Sequence, residues 1–271
     1  MQCNKVAFIN SKGGCGKTTS IFHVSGVLAQ RSEKTLVIDF DKQMNTTDTL
    51  LMSSEYKPVY TMFDFMKSKG KIRLEDVVRR AYFKNRENAK PQYHGVDVLA
   101  SDIRFEDESL LKNIDIKNVL ESFIRRNGYK WLLVDMPPSN KTLNLICFSQ
   151  VVDFVIVPFS SDIFSVNGYK HIIRTIQSAR THNAQLNTLG IYLARYDENS
   201  LGDKTIKERL ERFGEMFINI QIPDRAELRD STFTGRPISY YNTKLISASR
   251  SAYEKLVDYM SRKIEYYDRR R

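Results

Sequence analysis

The sequence is poor in cysteine and has no long apolar run. Its three cysteines, Cys3, Cys15 and Cys147, stand far apart and lack the spacing of a metal site. This pattern argues against a disulfide framework and predicts free thiols in a reducing cytoplasm. No apolar run approaches the roughly 18 residues that span a bilayer, and the N-terminus lacks the longer apolar stretch of a signal peptide.

Internal repeats are also absent from the 271 residues, as are linkers rich in proline, glycine or serine. A chain of this length can bury a sizeable core, as one large domain or as two small ones. Because no linker divides the chain, we expect residues 1–271 to form a single domain.

Positive charge, by contrast, is in excess. The formal net charge is +10 and the isoelectric point is about 9.4. Such an excess is explained either by solubility or by binding to a polyanion, since cations near a polyphosphate release its condensed counterions. Composition alone leaves both explanations open.

The densest basic segment lies at about 66–90, where nine Lys and Arg residues stand against three acids. We interpret it as a helical excursion that ends in a mobile loop around Asn85–Gln92. A solvated surface segment is the other interpretation of the same charges.

Short β-branched runs alternate with segments of helical spacing along the chain. The runs lie at residues 6–9, 35–38, 96–99, 131–134, 154–157 and 190–193, with a shorter one at 217–220, and a closing helix is expected over about 248–266. Most runs are too apolar to have a solvent-exposed face, which is typical of parallel strands covered by helices on both sides. We therefore predict an α/β fold with a doubly wound, mostly parallel sheet, which binds ligands at the carboxyl ends of its strands.

A glycine-rich loop follows the first run and opens a helix. Glycines at 13, 14 and 16 bring backbone amides close to phosphate oxygens, and the new helix adds free N–H groups and a partial positive charge. Lys17 would neutralise the β and γ phosphates of ATP, and the Thr18 hydroxyl would bind Mg²⁺. The predicted nucleotide-binding loop comprises Lys12, Gly13, Gly14, Cys15, Gly16, Lys17, Thr18 and Thr19.

Two features make this loop unusual. Ser11 stands where the common phosphate loop has its first glycine, and a second lysine, Lys12, opens the loop. In both respects it resembles the deviant Walker A loop of the ParA/MinD ATPases. The resemblance implies that Lys12 reaches across a dimer interface to the partner's nucleotide, so Lys12 joins Lys17 as a catalytic candidate.

Two further acidic strand ends match the same family. The stretch 37–45 contains Asp39 and Asp41 and resembles the family's second acidic strand end, although Lys42 and Met44 replace the usual proline and glycine. By resemblance, Asp41 would orient or activate the attacking water and Asp39 would support the Mg²⁺ shell. Asp135 closes the run 131–134 before two prolines, as in a Walker B strand, and is the third metal candidate beside Thr18 and Asp39.

The resemblance spans nearly the whole chain and is weakest across 52–92. It continues through the stretch 153–158, the helix start at 164–168 and the strand at 190–197. The neighbourhood of Pro223 and Asp224, through to residue 238, would surround the adenine. We expect the short form of the family, without an N-terminal helix-turn-helix domain.

Other proteins with this loop fit the sequence less well. Nitrogenase iron protein relatives need paired cysteines after the Walker B strand, and Cys147 has no companion. Bacterial tyrosine kinases carry a C-terminal tyrosine cluster, which is short here, at Tyr266 and Tyr267. MinD-type proteins end in an amphipathic membrane helix, whereas residues 261–271 contain one aliphatic side chain, too little for stable membrane anchoring.

The sequence thus predicts a ParA-type DNA partition ATPase, located in the cytoplasm on the nucleoid. By resemblance it would use ATP and Mg²⁺, form an ATP-sandwich homodimer and bind DNA without sequence preference. A ParB-like centromere-binding partner would stimulate its hydrolysis and release. The DNA candidates are four residues of the basic C-terminal region, Arg250, Lys255, Arg262 and Lys263. The alternative is a MinD-like ATPase that positions a membrane or surface structure.

Overall fold

The structure is a computed structural model. It describes residues 2–10, 12–54, 59–107, 115–138, 140–160, 174, 176–178, 180–181, 183–241 and 246–270. Ser11 of the glycine loop and the predicted helix start at 164–168 lie outside the described residues.

Within the described residues, eight strands form one sheet in the order β3-β4-β2-β5-β1-β6-β7-β8. Their bounds are β1 Asn4–Phe8, β2 Thr35–Asp39, β3 Val78–Phe83, β4 Gln92–Leu99, β5 Trp131–Asp135, β6 Phe154–Phe159, β7 Asn187–Tyr196 and β8 Phe217–Pro223. Every pair is parallel except β3 with β4. Strands β2, β5 and β6 are buried at every residue, because helices cover both faces of the sheet. The predicted doubly wound fold is confirmed, and each predicted run overlaps a strand.

Helices pack on both faces of this sheet. The α-helices whose bounds lie within the described residues are α1 Lys17–Gln30, α2 Asn45–Leu51, α3 Met62–Lys67, α4 Leu74–Val77, α5 Lys117–Asn127, α6 Lys141–Ile146, α7 Leu201–Glu211, α8 Ala226–Thr234 and α9 Ser247–Asp268. Side chains from α1, α8 and α9 share one core with the sheet, and those from α3, α5, α6 and α7 share the other. The closing helix predicted over 248–266 is α9.

Helix α1 leaves the glycine loop and is buried along most of its length. At Gly26 an added Cβ would lie 2.2 Å from Pro237 Cβ, so only glycine permits this approach of the helix to the segment after α8. One turn earlier, the buried His23 Nδ1 accepts a 3.1 Å hydrogen bond from the Ile238 amide. These two contacts fix α1 against residues 237–239.

The interpretation of 66–90 as a helical excursion is wrong in its second half. After α3 and the single turn of α4, residues 78–83 form β3, an antiparallel edge strand beside β4. Its inward residues Ala81 and Phe83 are buried, while Arg80 is exposed and Tyr82 is half-buried. Arg79 and Arg80 interrupt the apolar residues of this edge strand, so β3 has no continuous apolar run that would reveal it in the sequence.

All three cysteines are buried free thiols, as the sequence predicted. Among the described residues, no helix combines the length and hydropathy that crossing a membrane requires.

Candidate functional site

The glycine loop connects β1 to α1 at the carboxyl edge of the sheet. Gly14 and Gly16 have φ angles of 75° and 89°, in the left-handed region that side chains disfavour. An added Cβ on Gly16 would also lie 3.2 Å from Ala194 Cβ. Gly16 caps α1, so the loop ends on a helix N-terminus that offers free amides to an anion.

Side chains inside the loop hold its shape. Lys17 is buried, and its Nζ donates to the carbonyl oxygen of Lys12 at 3.3 Å. The Cys15 thiol donates to the same oxygen at 3.2 Å, and burial raises the pKa of this thiol. Because Cys15 is wholly buried, its thiol is not exposed to the cleft.

Asn10 fastens the loop to the sheet, and the sequence did not single it out. Its Nδ2 donates to the Pro158 carbonyl at 2.7 Å, and its Oδ1 accepts from the Lys12 amide at 3.1 Å. Its position between the first apolar run and the loop is the sequence feature that could have indicated this role.

Asp135 and Asp39 end neighbouring strands and are paired in register. Asp135 Oδ2 accepts hydrogen bonds from the Thr18 hydroxyl at 2.7 Å and from the Thr46 hydroxyl at 2.5 Å. Its other oxygen, Oδ1, is buried and has no hydrogen-bond partner within the described residues. Burial raises the pKa of Asp135, while Lys17 opposes that rise. A carboxylate oxygen with spare acceptor capacity next to a threonine hydroxyl is a donor set that suits Mg²⁺.

Asp39 has a different environment from Asp135. Its Oδ1 accepts from the Asp41 amide at 2.9 Å, and its Oδ2 accepts from the Thr47 amide at 2.9 Å and hydroxyl at 2.8 Å. Burial, and then the nearby Asp135 carboxylate, raise the pKa of Asp39 well above its usual range. Both oxygens are thus engaged with the protein, and Asp39 positions Asp41 and the start of α2.

Asp41 is half-buried and lies at the surface of the cleft above the loop. Its Oδ1 accepts from the Gln43 amide at 3.0 Å, and its carbonyl accepts from the Ser101 hydroxyl at 2.7 Å. These two bonds hold the Asp41 backbone and one carboxylate oxygen in place, and they thereby fix the direction of the second oxygen, Oδ2.

The cleft has a volume of about 760 Å³. Its lining includes the loop residues Gly13, Gly14, Gly16, Lys17, Thr18 and Thr19, the acid Asp41, and Arg195, Arg229 and Phe233 from β7 and α8. Of the loop residues predicted to bind nucleotide, Lys12 and Cys15 do not line this cleft. Most of the phosphate loop and Asp41 therefore line the same cleft, whereas Lys12 is not part of its lining.

Two arginines that the sequence did not single out share one acid beside the cleft. Asp224 forms ion pairs with Arg195 at 3.6 Å and with Arg229 at 2.9 Å. Arg195 also donates to the Gly14 carbonyl at 3.1 Å and has a φ of 58°, which is uncommon for a non-glycine residue. Arg195 could have been found from the rule that ligands bind at strand carboxyl ends, since it lies near the end of β7, whereas Arg229 lies on α8 and had no such signal.

Pro223 ends β8 and Asp224 follows it, and both line a second hollow of about 430 Å³ together with residues 196–199. The Arg195–Asp224 ion pair joins this hollow to the main cleft. The predicted adenine neighbourhood thus lies next to the phosphate loop.

The four predicted DNA residues all lie on α9. Lys255, Arg262 and Lys263 line a groove of about 760 Å³ between α9 and β8, together with Tyr259 and Tyr266. Arg250 instead pairs with Glu254 at 2.8 Å, one helical turn away. The structure groups three of the four cations.

Comparison with known proteins places the chain in a family. The family described as "AAA domain" matches residues 3–188. The chain is 29% identical to the chromosome partitioning protein ParA of Caulobacter vibrioides over 260 residues, covering 93% of this chain and 91% of that protein. It is 28% identical to the chromosome-partitioning ATPase Soj of Treponema pallidum over 253 residues, with coverage of 93% and 94%.

Solved structures with lower identity share the fold. A plasmid partition protein from Borrelia burgdorferi bound to AMPPNP superposes with a TM-score of 0.73 at 18% identity, covering 97% of this chain and 100% of that one. Cobyrinic acid a,c-diamide synthase from Mycobacterium smegmatis, with bound ADP and magnesium, gives a TM-score of 0.72 at 19% identity, with coverage of 95% and 93%. The chain belongs to the AAA domain family, and within it to the ParA-type P-loop ATPases.

Proposed function

We propose that this protein is an ATP-dependent DNA partition ATPase that acts as an ATP-sandwich dimer on DNA. In this proposal the cleft holds the phosphates of Mg-ATP, and the hollow at Pro223 and Asp224 holds the adenine. The partition proteins among its relatives and the ligands named for its structural neighbours, an ATP analogue in one and ADP with magnesium in the other, support this assignment.

The residues of the cleft divide the chemical work. The amides of Gly13, Gly14, Cys15 and Gly16, with Lys17 and the first turn of α1 at Thr18 and Thr19, bind the phosphates. Thr18 and Asp135 would hold Mg²⁺ while Asp39 supports its surroundings, and the spare acceptor capacity of Asp135 Oδ1 among the described residues fits this role. The ion, when bound, would neutralise charge on the phosphate oxygens. Asp41 orients the attacking water.

One observation supports the dimer above the others. Lys12 belongs to the phosphate loop, yet it does not line the cleft of its own protomer. A lysine that acts on the nucleotide of a second protomer has to lie in such a position. Lys12 would then be a catalytic residue of the partner's site.

In this proposal the dimer binds DNA through α9. Lys255, Arg262 and Lys263 share one groove, and neighbouring cations bind a phosphate backbone without reading its sequence. Arg250, which is paired with Glu254, would contribute less. A ParB-like partner would stimulate hydrolysis and thereby release the dimer from DNA, and the protein would lie on the nucleoid.

The C-terminal helix bears on the MinD-like alternative. Ile264, the one aliphatic side chain of residues 261–271, is buried in the core and is not available to a membrane. This favours DNA over a lipid surface.

Co-sedimentation separates the two functions. The protein is mixed with random-sequence duplex DNA, or with vesicles of anionic phospholipid, in the presence of ATP or ADP with Mg²⁺. The proposal expects ATP-dependent binding to DNA and none to vesicles. Binding to vesicles without binding to DNA would overturn it in favour of the alternative.

A further inference from the structure

A basic hairpin forms one edge of the sheet. The groove at α9 lies elsewhere, beside β8. We use the name basic hairpin for residues 78–99, which comprise β3, the turn at 84–91 and β4. Because β3 is outermost in the sheet, one side of the hairpin has no neighbouring strand among the described residues. Ala81 and Phe83 anchor it in the core beneath.

The outward face of the hairpin combines aromatic rings with a cation. Tyr82 and Tyr93 are opposite in register, with ring centroids 6.3 Å apart. The Arg80 guanidinium lies 4.9 Å from the Tyr93 ring centroid, which holds this exposed side chain in place.

Asp97 is the acid opposite Arg80 in register, but its carboxylate is engaged with two tyrosine hydroxyls. Its Oδ2 accepts hydrogen bonds from the Tyr93 hydroxyl at 3.0 Å and from the Tyr129 hydroxyl at 2.7 Å. Within the described residues, no ion pair joins Arg80 to Asp97 or to another acid. The positive charge of Arg80 therefore remains available to an external anion.

The turn adds three more cations. Lys84, Arg86 and Lys90 stand there against a single acid, Glu87. None of the three forms an ion pair with any residue that the structure describes. Arg86 and Lys90 are exposed and Lys84 is half-buried, so the turn presents a local excess of positive charge.

The turn is also held in position by another part of the chain. The Arg236 guanidinium donates to the Asn85 carbonyl at 3.1 Å and to the Tyr240 carbonyl at 2.8 Å. The Tyr240 ring packs against Phe83, with centroids 5.9 Å apart. Since these contacts order the backbone in advance, binding an anion there would cost less conformational entropy than ordering a loose loop.

From these contacts we infer that the basic hairpin binds the phosphate backbone of duplex DNA, through Arg80, Lys84, Arg86 and Lys90. This inference rests on the proposed DNA-binding function and adds a second contact surface to the groove at α9. The turn contains only Ala89 and Pro91 as apolar residues, too little apolar area to insert into a lipid surface. A phosphate backbone needs only cations.

The test removes the charges of the turn in the full-length chain. The triple variant Lys84→Gln, Arg86→Gln, Lys90→Gln is compared with wild type for binding to random-sequence duplex DNA, with ATP, over a series of salt concentrations. Each cation that neutralises a DNA phosphate contributes about 0.9 to the slope of log affinity against log salt. With these three cations removed, we expect the slope to fall by about 2 to 3 and the affinity at moderate salt to fall at least about tenfold.

A matched control removes three exposed cations elsewhere. The variant Lys204→Gln, Arg209→Gln, Arg212→Gln changes α7 and the residue after it, where the helix itself has equal numbers of cations and acids. It should keep the wild-type slope. Both variants should keep the wild-type ATP affinity and basal ATPase rate, which shows that the fold and the cleft are intact.

The outcomes separate the inference from the function beneath it. If wild type and control bind DNA and the hairpin variant keeps their slope, the hairpin does not bind DNA, although the proposed function stands. If wild type shows no ATP-dependent DNA binding, both are overturned. Weaker binding of the hairpin variant to anionic phospholipid vesicles, with DNA binding unchanged, would assign the hairpin to a membrane and overturn the inference.

Discussion

The Thr18 hydroxyl donates a 2.7 Å hydrogen bond to Asp135 Oδ2, and this bond joins the phosphate loop to the end of β5. Thr46, at the start of α2, donates to the same oxygen. Three segments that are far apart in the sequence therefore meet on one carboxylate, and the two threonines orient its other oxygen.

Lys17→Ala should remove the main positive charge that faces the β and γ phosphates. We expect the affinity for a fluorescent ATP analogue to fall by about a hundredfold, since a charge-assisted contact contributes up to about 3 kcal/mol. Lys204→Ala, which removes an exposed charge on α7, is the control and should bind as wild type does. Unchanged affinity in Lys17→Ala would mean that the loop is not the nucleotide site.

Asp41→Ala should slow hydrolysis far more than it weakens binding. A water-orienting carboxylate acts chiefly in the transition state, so we expect the turnover rate to fall about 100-fold or more while ATP affinity stays within about threefold. The ATP-bound protein should then stay dimeric, which size-exclusion chromatography with light scattering would detect. Asp48→Ala, an exposed acid in the first turn of α2, is the matched control. A wild-type rate in Asp41→Ala would assign the role to another group, with Asp39 the next candidate.

Lys12→Ala tests the lysine that distinguishes this loop. If Lys12 acts on the partner's phosphates, the variant should lose most ATP-dependent dimerisation and ATPase activity. Binding of nucleotide to the monomer should stay within roughly tenfold, about 1.4 kcal/mol, because Lys17 and the loop amides remain. DNA affinity should fall with dimerisation, since two linked basic surfaces gain from effective concentration. A variant that dimerises with ATP and binds DNA like wild type, at the same salt concentration, would refute the dimer role of Lys12.

His23 should make the folded state sensitive to acid. Burial lowers the pKa of His23 to about 3 from its ordinary 6.5, so below pH 6.5 the unfolded chain binds a proton that the folded chain does not. The stability that this neutral histidine contributes is complete above pH 6.5 and is lost as the pH falls toward 3. At pH 5 the loss is about 2 kcal/mol.

The measurement is the free energy of unfolding in urea at about pH 7 and about pH 5. His23→Asn is the comparison, because its side-chain oxygen can replace Nδ1 as acceptor for the Ile238 amide and does not titrate. We expect wild type to lose about 2 kcal/mol more than the variant between these pH values. Equal losses would show that His23 does not drive the acid sensitivity.

The sequence identified those features that depend on neighbours along the chain. Buried parallel strands appear as continuous apolar runs, and the loop from Lys12 to Thr19 specifies its own backbone through its glycines. The edge strand β3 was not predicted because it has only two buried inward residues, Ala81 and Phe83, and the cations Arg79 and Arg80 precede them. Its identity as a strand comes from pairing with β4.

The parts of the site that the sequence missed depend on contacts across the fold. Thr46 contacts Asp135 across 89 positions of sequence, and Arg195 contacts Gly14 across 181. A threonine after a strand, or an arginine within one, has no local pattern that reveals such a partner. Asp224 was predicted as an adenine neighbour, and its ion pairs with Arg195 and Arg229 became visible only when β7, β8 and α8 were placed side by side.

The close packing at Gly26 leaves the helix behind the phosphate loop little freedom to shift. Helix α1 is wedged against Pro237 and tied to Ile238 through His23, so it cannot shift without breaking backbone-level contacts. Helix α8 is anchored to the same histidine, because its buried Ser231 hydroxyl lies 3.3 Å from His23 Nε2. Arg229 and Phe233, which reach the cleft from α8, are instead exposed, and Phe233 is 77% exposed. Any adjustment of the cleft around a ligand is therefore expected from these two side chains, while the backbones of α1 and α8 stay in place.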